Sequence, residues 1–321
     1  MIESEKWMST ASLNNIKQRA KMLKNIREFF EQRDVLEVET PMLSQYGGTE
    51  PNLNPITANY QFQGQPRLGY LQTSPEFAMK RLLATGIGDC YQVFKAFRNE
   101  ESGRLHNPEF SLLEWYRIGI NEIKLIEEID DFLQHVLASQ KSQSFTYSEL
   151  FKRYLGVDPL QSSLQELQCI AEQNIENPPS LSCCDDYLEL LFSFCIEPKI
   201  GKERPCFVTH YPATQASLAR ISTLDPRLSC RFELFYKGVE LGNGFYELCD
   251  AEEQLTRFQN ENQRRLNSGL KQIEIDPLFI QALSNGLPES SGVAIGIDRL
   301  LMILTSANHI DEVLTFPIER A

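Results

Sequence analysis

The chain has 321 residues, of which 42% are hydrophobic and 23% charged, and its formal net charge is −13 at pH 7. These proportions are typical of a soluble globular protein, and the negative charge argues against a broad nucleic-acid-binding surface. No apolar run approaches the length of a membrane span, and the N-terminus lacks the basic and then apolar stretch of a secretory signal. We therefore expect a cytoplasmic protein with no membrane partner.

The cysteine pattern argues against a zinc site. The eight cysteines form no Cys-x-x-Cys pair, and the four histidines are not spaced near them as ligands would be. Reduced thiols in a cytosolic core are the simpler interpretation. The adjacent pair Cys183-Cys184, in a polar stretch, is the one exception to watch.

The first predicted element is a helix over residues 16–30, where Ile16, Leu23, Ile26, Phe29 and Phe30 recur at helical spacing. It leads into a strand within residues 35–43 that ends at a proline. Further along, Ser74-Pro75-Glu76 is a good helix start and predicts a helix over residues 78–83.

Residues 97–116 carry the strongest chemical signal. Arg98-Asn99-Glu100 is followed by His106-Asn107-Pro108-Glu109-Phe110 and then by Glu114 and Tyr116. Arginine forks suit phosphate and carboxylate oxygens, an asparagine offers a donor and an acceptor to a base edge, and a phenylalanine offers a stacking face. Any one of these residues alone would be an ordinary surface or core position, but together they suit a nucleotide triphosphate held against an amino acid.

The middle of the chain predicts helices at residues 125–137, 159–175 and 187–194, with a helical insertion over about residues 140–200. A strand begins near Pro205, two strands flank Lys237-Gly238, and a polar helix covers residues 251–268. Strands and helices alternate without a regular βαβ rhythm, which favours an α+β fold with an antiparallel sheet flanked by helices.

The second of those strands carries Glu240, Asn243 and Glu247. Regular alternation would place Glu240 and Asn243 on opposite faces, whereas Gly242 and Gly244 permit a bulge that changes this. The two acids predict a carboxylate pair for Mg²⁺ on a triphosphate, or for a substrate ammonium. A hairpin with exposed acids is the simpler alternative.

Near the C-terminus, Ser291-Gly292-Val293-Ala294-Ile295-Gly296-Ile297-Asp298-Arg299 leads into an apolar helical run. The small residues allow close approach of a ligand to the backbone. An arginine at a helix start can meet a phosphate and the face of a base.

Residues 35–43, 97–116 and 291–300 resemble motifs 1, 2 and 3 of the class II aminoacyl-tRNA synthetases, most closely the lysine enzyme. Residues 237–248 are similar to the lysine-enzyme segment that ends in Asn-Gly-Phe-x-Glu-Leu. The resemblance implies a class II catalytic core over residues 1–321, without the anticodon-binding barrel that lysine tRNA synthetases carry before motif 1. It also implies a homodimer built through residues 16–42.

The resemblance further implies roles for individual residues. Arg98 and Arg299 are the expected catalytic residues. The ATP site is expected to comprise Arg98, Asn99, Glu100, His106, Asn107, Phe110, Glu240, Leu241, Gly296 and Arg299. The substrate site is expected to comprise Ser74, Pro75, Glu76, Glu114, Tyr116, Asn243, Glu247 and Ala294, and Mg²⁺ is expected on Glu240 and Glu247. In this scheme Phe110 and Arg299 sandwich adenine, Asn107 reads its edge, and Glu114, Tyr116, Asn243 and Glu247 hold the amine of the lysine side chain.

Three functions fit these features. The chain resembles over its full length the elongation factor P lysine ligases, which are stand-alone relatives of lysine tRNA synthetases that load a protein. A minimal tRNA-charging enzyme is the second reading, and a non-catalytic module that binds an aminoacyl adenylate is the third. The second would have to dispense with anticodon contacts and with a basic surface. The third predicts that the phosphate-binding residues are damaged, but these residues are all present.

Two departures from the lysine tRNA enzymes bear on the substrate. Ser74 stands where those enzymes usually have alanine, and Ala294 where they usually have glycine. An added hydroxyl and an added methyl, both near the expected α-amino group, favour a lysine whose amine lies one carbon further along. That substrate is β-lysine, which this ligase family uses, and tRNA is not expected as a partner.

Overall fold

The structure, a computed structural model, describes residues 6–321. The α-helices of this part of the chain are α1 (Leu13–Glu31), α2 (Glu76–Ala84), α3 (Glu122–Leu137), α4 (Tyr147–Leu155), α5 (Leu164–Asn174), α6 (Cys184–Leu191), α7 (Ala251–Asn267), α8 (Pro277–Ser284) and α9 (Ile297–Thr305). The strands are β1 (Leu36–Glu37), β2 (Leu43–Ser44), β3 (Ile56–Phe62), β4 (Gln65–Leu71), β5 (Cys90–Phe97), β6 (Glu109–Ile118), β7 (Gln143–Thr146), β8 (Cys206–Thr209), β9 (Arg231–Tyr236), β10 (Val239–Tyr246) and β11 (Ser290–Gly296).

The chain folds into two compact units. The first comprises Met1–Gly119, Cys249–Ser290 and Ala294–Ala321, and the second comprises Ile120–Leu248 and Ser291–Val293. Strand β11 therefore contributes residues to both units. A single catalytic domain over residues 1–321 stays a prediction beside this division.

The sheet of the first unit is mixed. β1 pairs in parallel with β5, and β5 pairs with β6 along its whole length in antiparallel register, from Cys90 opposite Tyr116 to Phe97 opposite Glu109. A smaller antiparallel sheet has the order β2-β4-β3. In place of the strand predicted within residues 35–43, the structure has the two short strands β1 and β2. Pro41 lies between them and has no backbone N–H to donate to a neighbouring strand.

Helix α1 packs its apolar stripe into the core of this unit. Ser12 caps its start by accepting the Asn15 backbone N–H, and Met22, Ile26, Phe29 and Phe30 are buried. The ring of Phe30 stacks on Tyr91 of β5 with 4.2 Å between centroids, and it meets Trp115 of β6 edge-on at 5.3 Å. The helix that carries motif 1 thus supports the two strands that carry motif 2.

Asp298 joins all three motif regions. Its side chain is 2% exposed and accepts hydrogen bonds from Arg19 of α1 and from the backbone N–H of Ser111 in β6, the latter at 2.6 Å. A buried carboxylate is stable only when it is paired and hydrogen-bonded in this way. The start of α9 is therefore fixed relative to α1 and β6.

The second unit has the strand order β10-β9-β8-β7, with β7 parallel to β8 and the other pairs antiparallel. The predicted antiparallel sheet is thus mixed in both units, because β1 and β7 each join by a parallel pairing. Helices α4, α5 and α6 lie where the sequence predicted a helical insertion, and they close a core with Tyr147 stacked on Phe192 at 5.3 Å. Gly244 is required in β10, since a Cβ there would lie 2.8 Å from the Gly292 carbonyl oxygen.

Caps explain where the structure shifts predicted boundaries. The helix predicted from residue 159 begins at Leu164, because the Ser163 side chain accepts the Glu166 N–H and so marks the start. The helix predicted over residues 187–194 starts earlier, at Cys184, and continues as a π-helical turn over Phe192–Ile196. Helices α3 and α7 match their predictions closely.

All eight cysteines are free thiols, as expected from their scatter. Within residues 6–321, no helix combines the length and apolar character that crossing a membrane requires.

Candidate active site

The loop between β5 and β6 is held by its own backbone. The Arg98 N–H donates to the Pro108 carbonyl at 2.9 Å, and Gly103 and His106 bond to each other in a small bridge. Glu100 adopts a left-handed conformation with φ of 63°, which costs free energy for a residue with a Cβ and is found most often at functional sites. The Asn99 N–H donates to the Asn54 carbonyl at 2.8 Å, which ties the loop to a neighbouring segment.

Arg98 presents an open donor. Its guanidinium carbon lies 5.0 Å from the centre of the Phe110 ring, and its Nη1 lies 3.6 Å from Glu101. Its Nε is buried and has no hydrogen-bond partner among residues 6–321. A buried guanidinium donor without a partner suits an anionic ligand.

Arg299 and His106 meet in the first unit. The Arg299 Nη2 lies 2.8 Å from the His106 Nε2, so the structure joins a residue of motif 2 to one of motif 3. Gly296 caps α9, and a Cβ at this position would touch the Arg299 side chain at 3.6 Å. Arg299 therefore projects from the first turn of a helix, where the backbone N–H groups favour anions.

Asn107 ties the motif 2 loop to the C-terminal segment. It is 6% exposed, its Oδ1 accepts the Ile318 N–H at 3.0 Å, and its Nδ2 donates to the Glu109 carbonyl at 2.6 Å. Each end of the amide can form a second hydrogen bond, and the predicted contact of Asn107 with adenine stays a prediction.

Glu114 and Tyr116 form a buried polar pair on one face of β6. Each is 2% exposed, and the Tyr116 hydroxyl donates to Glu114 Oε1 at 2.7 Å. A carboxylate beside a phenol in an apolar surrounding is a strong acceptor site for an ammonium group, whose desolvation it offsets. The predicted pairing of these two residues is therefore present.

The start of α2 holds the other predicted substrate residues. The Ser74 hydroxyl accepts the Glu76 N–H at 3.4 Å, and Glu76 accepts from Lys80 at 2.6 Å. Lys80 is 1% exposed, so its ammonium holds the Glu76 carboxylate in place. Pro75 occupies the cap position of this helix, and Ala294 lies half-buried in β11.

Two acids that sequence reasoning missed lie in the first unit. The Oε2 atom of Glu50 is buried and has no partner among the described residues. Burial raises the pKa of Glu50, and the Glu76 carboxylate raises it further, while Arg98 and Arg265 oppose both. Burial together with Glu50 raises the pKa of Glu261 to about 7. Each is a single acid in a polar stretch, so no sequence signal singled them out.

The second unit presents Glu240 and Asn243 on one face of β10. The register shifts between Glu240 and Gly242, so that Glu240 lies opposite Phe235 and Asn243 opposite Glu233. Phe235 and Glu233 are two residues apart and share a face, and therefore Glu240 and Asn243 share one as well. Leu241 is the extra residue of this bulge and is buried. The bulge that Gly242 and Gly244 permitted is present.

Arg231 and Glu233 of β9 stand on this same face. Arg231 Nε donates to Asn243 Oδ1 at 3.2 Å, and its Nη2 pairs with Glu233 at 2.5 Å. The Tyr211 hydroxyl donates to the other oxygen of Glu233 at 2.6 Å. Burial raises the pKa of Glu233 and Glu240 raises it further, whereas the positive charge of Arg231 lowers it. Sequence reasoning missed this pair, although two charged residues at a spacing of two within an apolar strand are a signal that could have found it.

Glu247 lies at the far end of the same segment. It is fully buried, and its backbone oxygen accepts from Arg220 Nε at 3.2 Å. Seven extended residues place its Cα about 20 Å from that of Glu240. This separation is beyond the reach of two glutamates on one Mg²⁺ with oxygens at about 2.1 Å, so the predicted metal pair Glu240–Glu247 does not fit a single ion.

Glu233 is the carboxylate that shares a face with Glu240. The two are close enough for Glu240 to raise the pKa of Glu233, and a cation would relieve that repulsion. Two carboxylates with phosphate oxygens make a suitable Mg²⁺ donor set. No group of three or more potential metal-ligating side chains occurs within residues 6–321.

Sequence comparison identifies the family. The family model of the class II tRNA synthetases (D, K and N) matches residues 5–320, and the chain belongs to this family. Its catalytic core is an α+β fold, in accordance with the sheets and helices described above.

Relatives of known name match over the full length. An elongation factor P--(R)-beta-lysine ligase of Edwardsiella ictaluri is 47% identical over 325 residues, covering 100% of both chains. Proteins of the same name are 49% identical in Vibrio cholerae, over 98% of both chains, and 46% identical in Pasteurella multocida, over 100% of both.

Proposed function

We propose that this protein activates (R)-β-lysine with ATP and transfers it to the ε-amino group of a lysine on elongation factor P. The observation that carries the proposal is the full-length similarity to ligases of that name, at 46–49% identity. The geometry of each unit supports it with groups suited to phosphate, carboxylate and ammonium. An acceptor of this kind implies that the enzyme acts in the cytoplasm.

Activation is a displacement at phosphorus. A carboxylate oxygen of β-lysine attacks the α-phosphorus of ATP, the bond to the β-phosphate oxygen breaks, and pyrophosphate leaves with that electron pair. Arg98 bridges the carboxylate and the α-phosphate, and its open Nε supplies a donor as charge develops. No covalent enzyme intermediate is needed, so positioning and charge stabilisation supply the rate.

We propose that ATP is held by the residues that the motifs indicated. Phe110 and Arg299 sandwich adenine, Asn107 reads its edge, and His106 orients Arg299 through their 2.8 Å contact. Asn99, Glu100 and Gly296 are also assigned to ATP. The assignment of Glu240 and Leu241 to ATP rests on the motif resemblance alone.

Mg²⁺ fits Glu240 with Glu233 better than Glu240 with Glu247. When bound with the triphosphate, the ion neutralises phosphate charge and orients the leaving pyrophosphate. Glu247 then has no role at the metal. The motif resemblance assigns it to the amine of the lysine side chain, as it does Glu114, Tyr116 and Asn243.

The second amine of the substrate is assigned to the start of α2. Glu76 is held by Lys80 at 2.6 Å and supplies a carboxylate, while Ser74, Pro75 and Ala294 shape the space beside it. The hydroxyl of Ser74 and the methyl of Ala294 distinguish this position from that of lysine tRNA enzymes, and favour an amine moved by one carbon.

The transfer step forms an amide. The ε-nitrogen of the acceptor lysine attacks the carbonyl carbon of the adenylate, the bond to the phosphate oxygen breaks, and AMP leaves. The acceptor amine loses its proton in this step.

One experiment tests the assignment directly. The enzyme is incubated with ATP and labelled (R)-β-lysine or α-lysine, in the presence of purified elongation factor P or bulk tRNA, and the labelled macromolecule is identified. We expect label on elongation factor P with β-lysine preferred. Efficient charging of tRNA would support the minimal synthetase, and adenylate binding without transfer to either would support the non-catalytic module.

A further inference from the structure

The C-terminal segment of the first unit forms a turn against the motif 2 loop. The Arg320 N–H donates to the Pro317 carbonyl at 2.7 Å, which closes a β-turn. This bond does not use the N–H of Ile318, the second residue of the turn, which donates to Asn107 Oδ1 at 3.0 Å. The two bonded residues are 211 positions apart in the sequence, so only the fold brings them together.

The turn is tied to the N-terminal segment that precedes α1. Arg320 Nη1 donates to the Met8 carbonyl at 3.0 Å, and the Thr10 N–H donates to the Thr315 carbonyl at 3.0 Å. The Thr10 hydroxyl donates to the Leu314 carbonyl at 2.8 Å. These three hydrogen bonds hold the turn within the first unit, and its position does not depend on a ligand.

The Asn107 amide is held at both ends. Its Nδ2 donates to the Glu109 carbonyl at 2.6 Å. A backbone N–H can be accepted only by the oxygen of the amide, so the Ile318 N–H determines which end is the oxygen. Each end keeps one further place, which is a hydrogen on Nδ2 and a lone pair on Oδ1. The amide therefore presents a donor and an acceptor in a fixed order.

A fixed order of donor and acceptor bears on the choice of base. Adenine has an amino donor at C6 beside the acceptor N1, and this pair matches an amide in one order only. Guanine and hypoxanthine have a carbonyl oxygen at C6 and a hydrogen on N1, which is the reverse order. The oxygen of an amide that cannot turn over repels the oxygen at C6, whereas an amide that can turn over fits either kind of base.

We propose that the turn at residues 317–320 is a positioning element of the ATP site, in which the Ile318 N–H orients the Asn107 amide so that the site selects adenine. The inference rests on the proposed function, because the contact of Asn107 with adenine is taken from there. Ile318 touches neither the nucleotide nor the reacting atoms, and it acts only through Asn107.

The substitution Ile318→Pro removes the donor and keeps the turn. Proline has no N–H, and it is favoured at the second position of a β-turn. Ile318→Ala is the matched comparison, because it keeps the N–H and removes a side chain that is 52% exposed. The assay is pyrophosphate exchange with β-lysine, in which ATP is compared with inosine triphosphate, whose base has an oxygen in place of the amino group at C6.

The readout is the ratio of kcat/KM for ATP to kcat/KM for inosine triphosphate. For Ile318→Pro we expect this ratio to fall by about threefold to tenfold, the effect of one hydrogen bond, through a higher KM for ATP at nearly unchanged kcat. Ile318→Ala should keep the wild-type ratio. Asn107→Ala should also lower the ratio, and adding Ile318→Pro to it should lower the ratio no further, because Ile318 acts through Asn107.

The outcomes separate this inference from the proposed function. If the wild-type enzyme shows no pyrophosphate exchange with ATP and β-lysine, the proposed function is overturned and the inference with it. With exchange present, a wild-type ratio near one or an unchanged ratio in Ile318→Pro overturns the inference alone. An equal loss with both nucleotides overturns it as well, since that loss would indicate structural damage, and so does an equal fall of the ratio in Ile318→Ala.

A second variant covers the case in which Ile318→Pro does not fold. Arg320→Ala removes the tie of the turn to the Met8 carbonyl and leaves every backbone N–H in place. A lower ratio of ATP to inosine triphosphate in this variant supports the inference, and an unchanged ratio overturns it.

Discussion

Arg98 directly follows strand β5, and its guanidinium lies between an aromatic ring and a carboxylate. Phe110 supports one face at 5.0 Å, and Glu101 pairs with Nη1 at 3.6 Å. The buried Nε has no partner among residues 6–321. An arginine kept in position with an unused donor is arranged for a ligand that carries negative charge.

Replacing Arg98 by alanine should therefore remove adenylate formation without unfolding the protein. Loss of one such donor to a developing charge typically lowers the rate by about 10²–10³. ATP–pyrophosphate exchange measures the step. Arg227→Ala, which removes an exposed arginine paired with Asp225, is the matched control. Exchange within tenfold of wild type for the Arg98 variant would show that another group performs this role.

Ser74 and Ala294 should control the choice between lysine isomers. Ala294→Gly removes a methyl, which changes discrimination in a pocket by about 1–3 kcal/mol, and should shift preference toward α-lysine. Ser74→Ala should shift it further, and it also removes the acceptor for the Glu76 N–H, 3.4 Å away.

The measurement is kcat/KM for adenylation of both isomers by wild type, the two single variants and the double variant. The ratio of the isomers cancels effects on folding and on ATP binding. A ratio that stays constant in all four proteins would place the specificity elsewhere.

Motif 1 is the element whose form changed most between sequence and structure. Helix α1 buries one stripe through Met22, Ile26 and Phe30, as its spacing predicted. The strand that follows is reduced to two short pieces, and Leu36 and Leu43 on them and Met42 between them stay exposed. Exposed apolar side chains close together in sequence are characteristic of a surface that another protein covers.

We predict that residues 16–42 form the interface of a homodimer, as the resemblance to motif 1 implies. Introducing a charge into this surface with Leu36→Glu and Met42→Glu should convert the dimer to a monomer of 36.8 kDa, because a buried unpaired carboxylate is costly. Light scattering at micromolar concentration reports the mass. Leu224→Glu is the control, since Leu224 is 97% exposed in the second unit. A monomeric wild type would contradict the prediction.

At the scale of the whole molecule, carboxylates outnumber cations, and some of them are buried. The formal net charge is −13, and in the first unit burial and the neighbouring Glu50 raise the pKa of Glu261. The Thr49 hydroxyl donates to Glu261. This hydrogen bond lowers the pKa of Glu261, but the pKa stays above its ordinary value. The stability of the protein should therefore depend on pH through this pair.

The sign follows from the raised pKa. Glu261 titrates at about 7 in the folded state, compared with its ordinary value of 4.5. Between these values the folded state keeps a proton that the unfolded chain has lost, so its contribution to stability is full below about pH 4.5 and is lost as the pH rises through 7. Glu261→Gln keeps an acceptor for Thr49 and removes this dependence.

The free energy of unfolding of Glu261→Gln, relative to wild type, should therefore increase by about 1–3 kcal/mol between pH 5 and pH 8. Denaturant unfolding at both pH values measures it. Glu274→Gln, at an exposed position in the same unit, is the control and should show no such trend. A difference that does not change with pH would show that Glu261 is ionised throughout this range.

The sequence by itself determined the fold family and most of the chemical groups. Helical spacing, caps and three ordered motifs are local properties of the chain, and they indicated α1, α3, α7 and the start of α9 as well as Arg98, Glu114, Tyr116 and Arg299. The tertiary structure alone decided which of these groups are available. Asn107 was expected to contact a base, and only the fold shows that its oxygen also accepts the backbone N–H of Ile318, 211 residues away. For Asn243, only the structure shows that its oxygen accepts a hydrogen bond from Arg231 on the neighbouring strand. Hydrogen bonds between distant residues depend on strand register and on bulges, and no pattern along a single segment contains them.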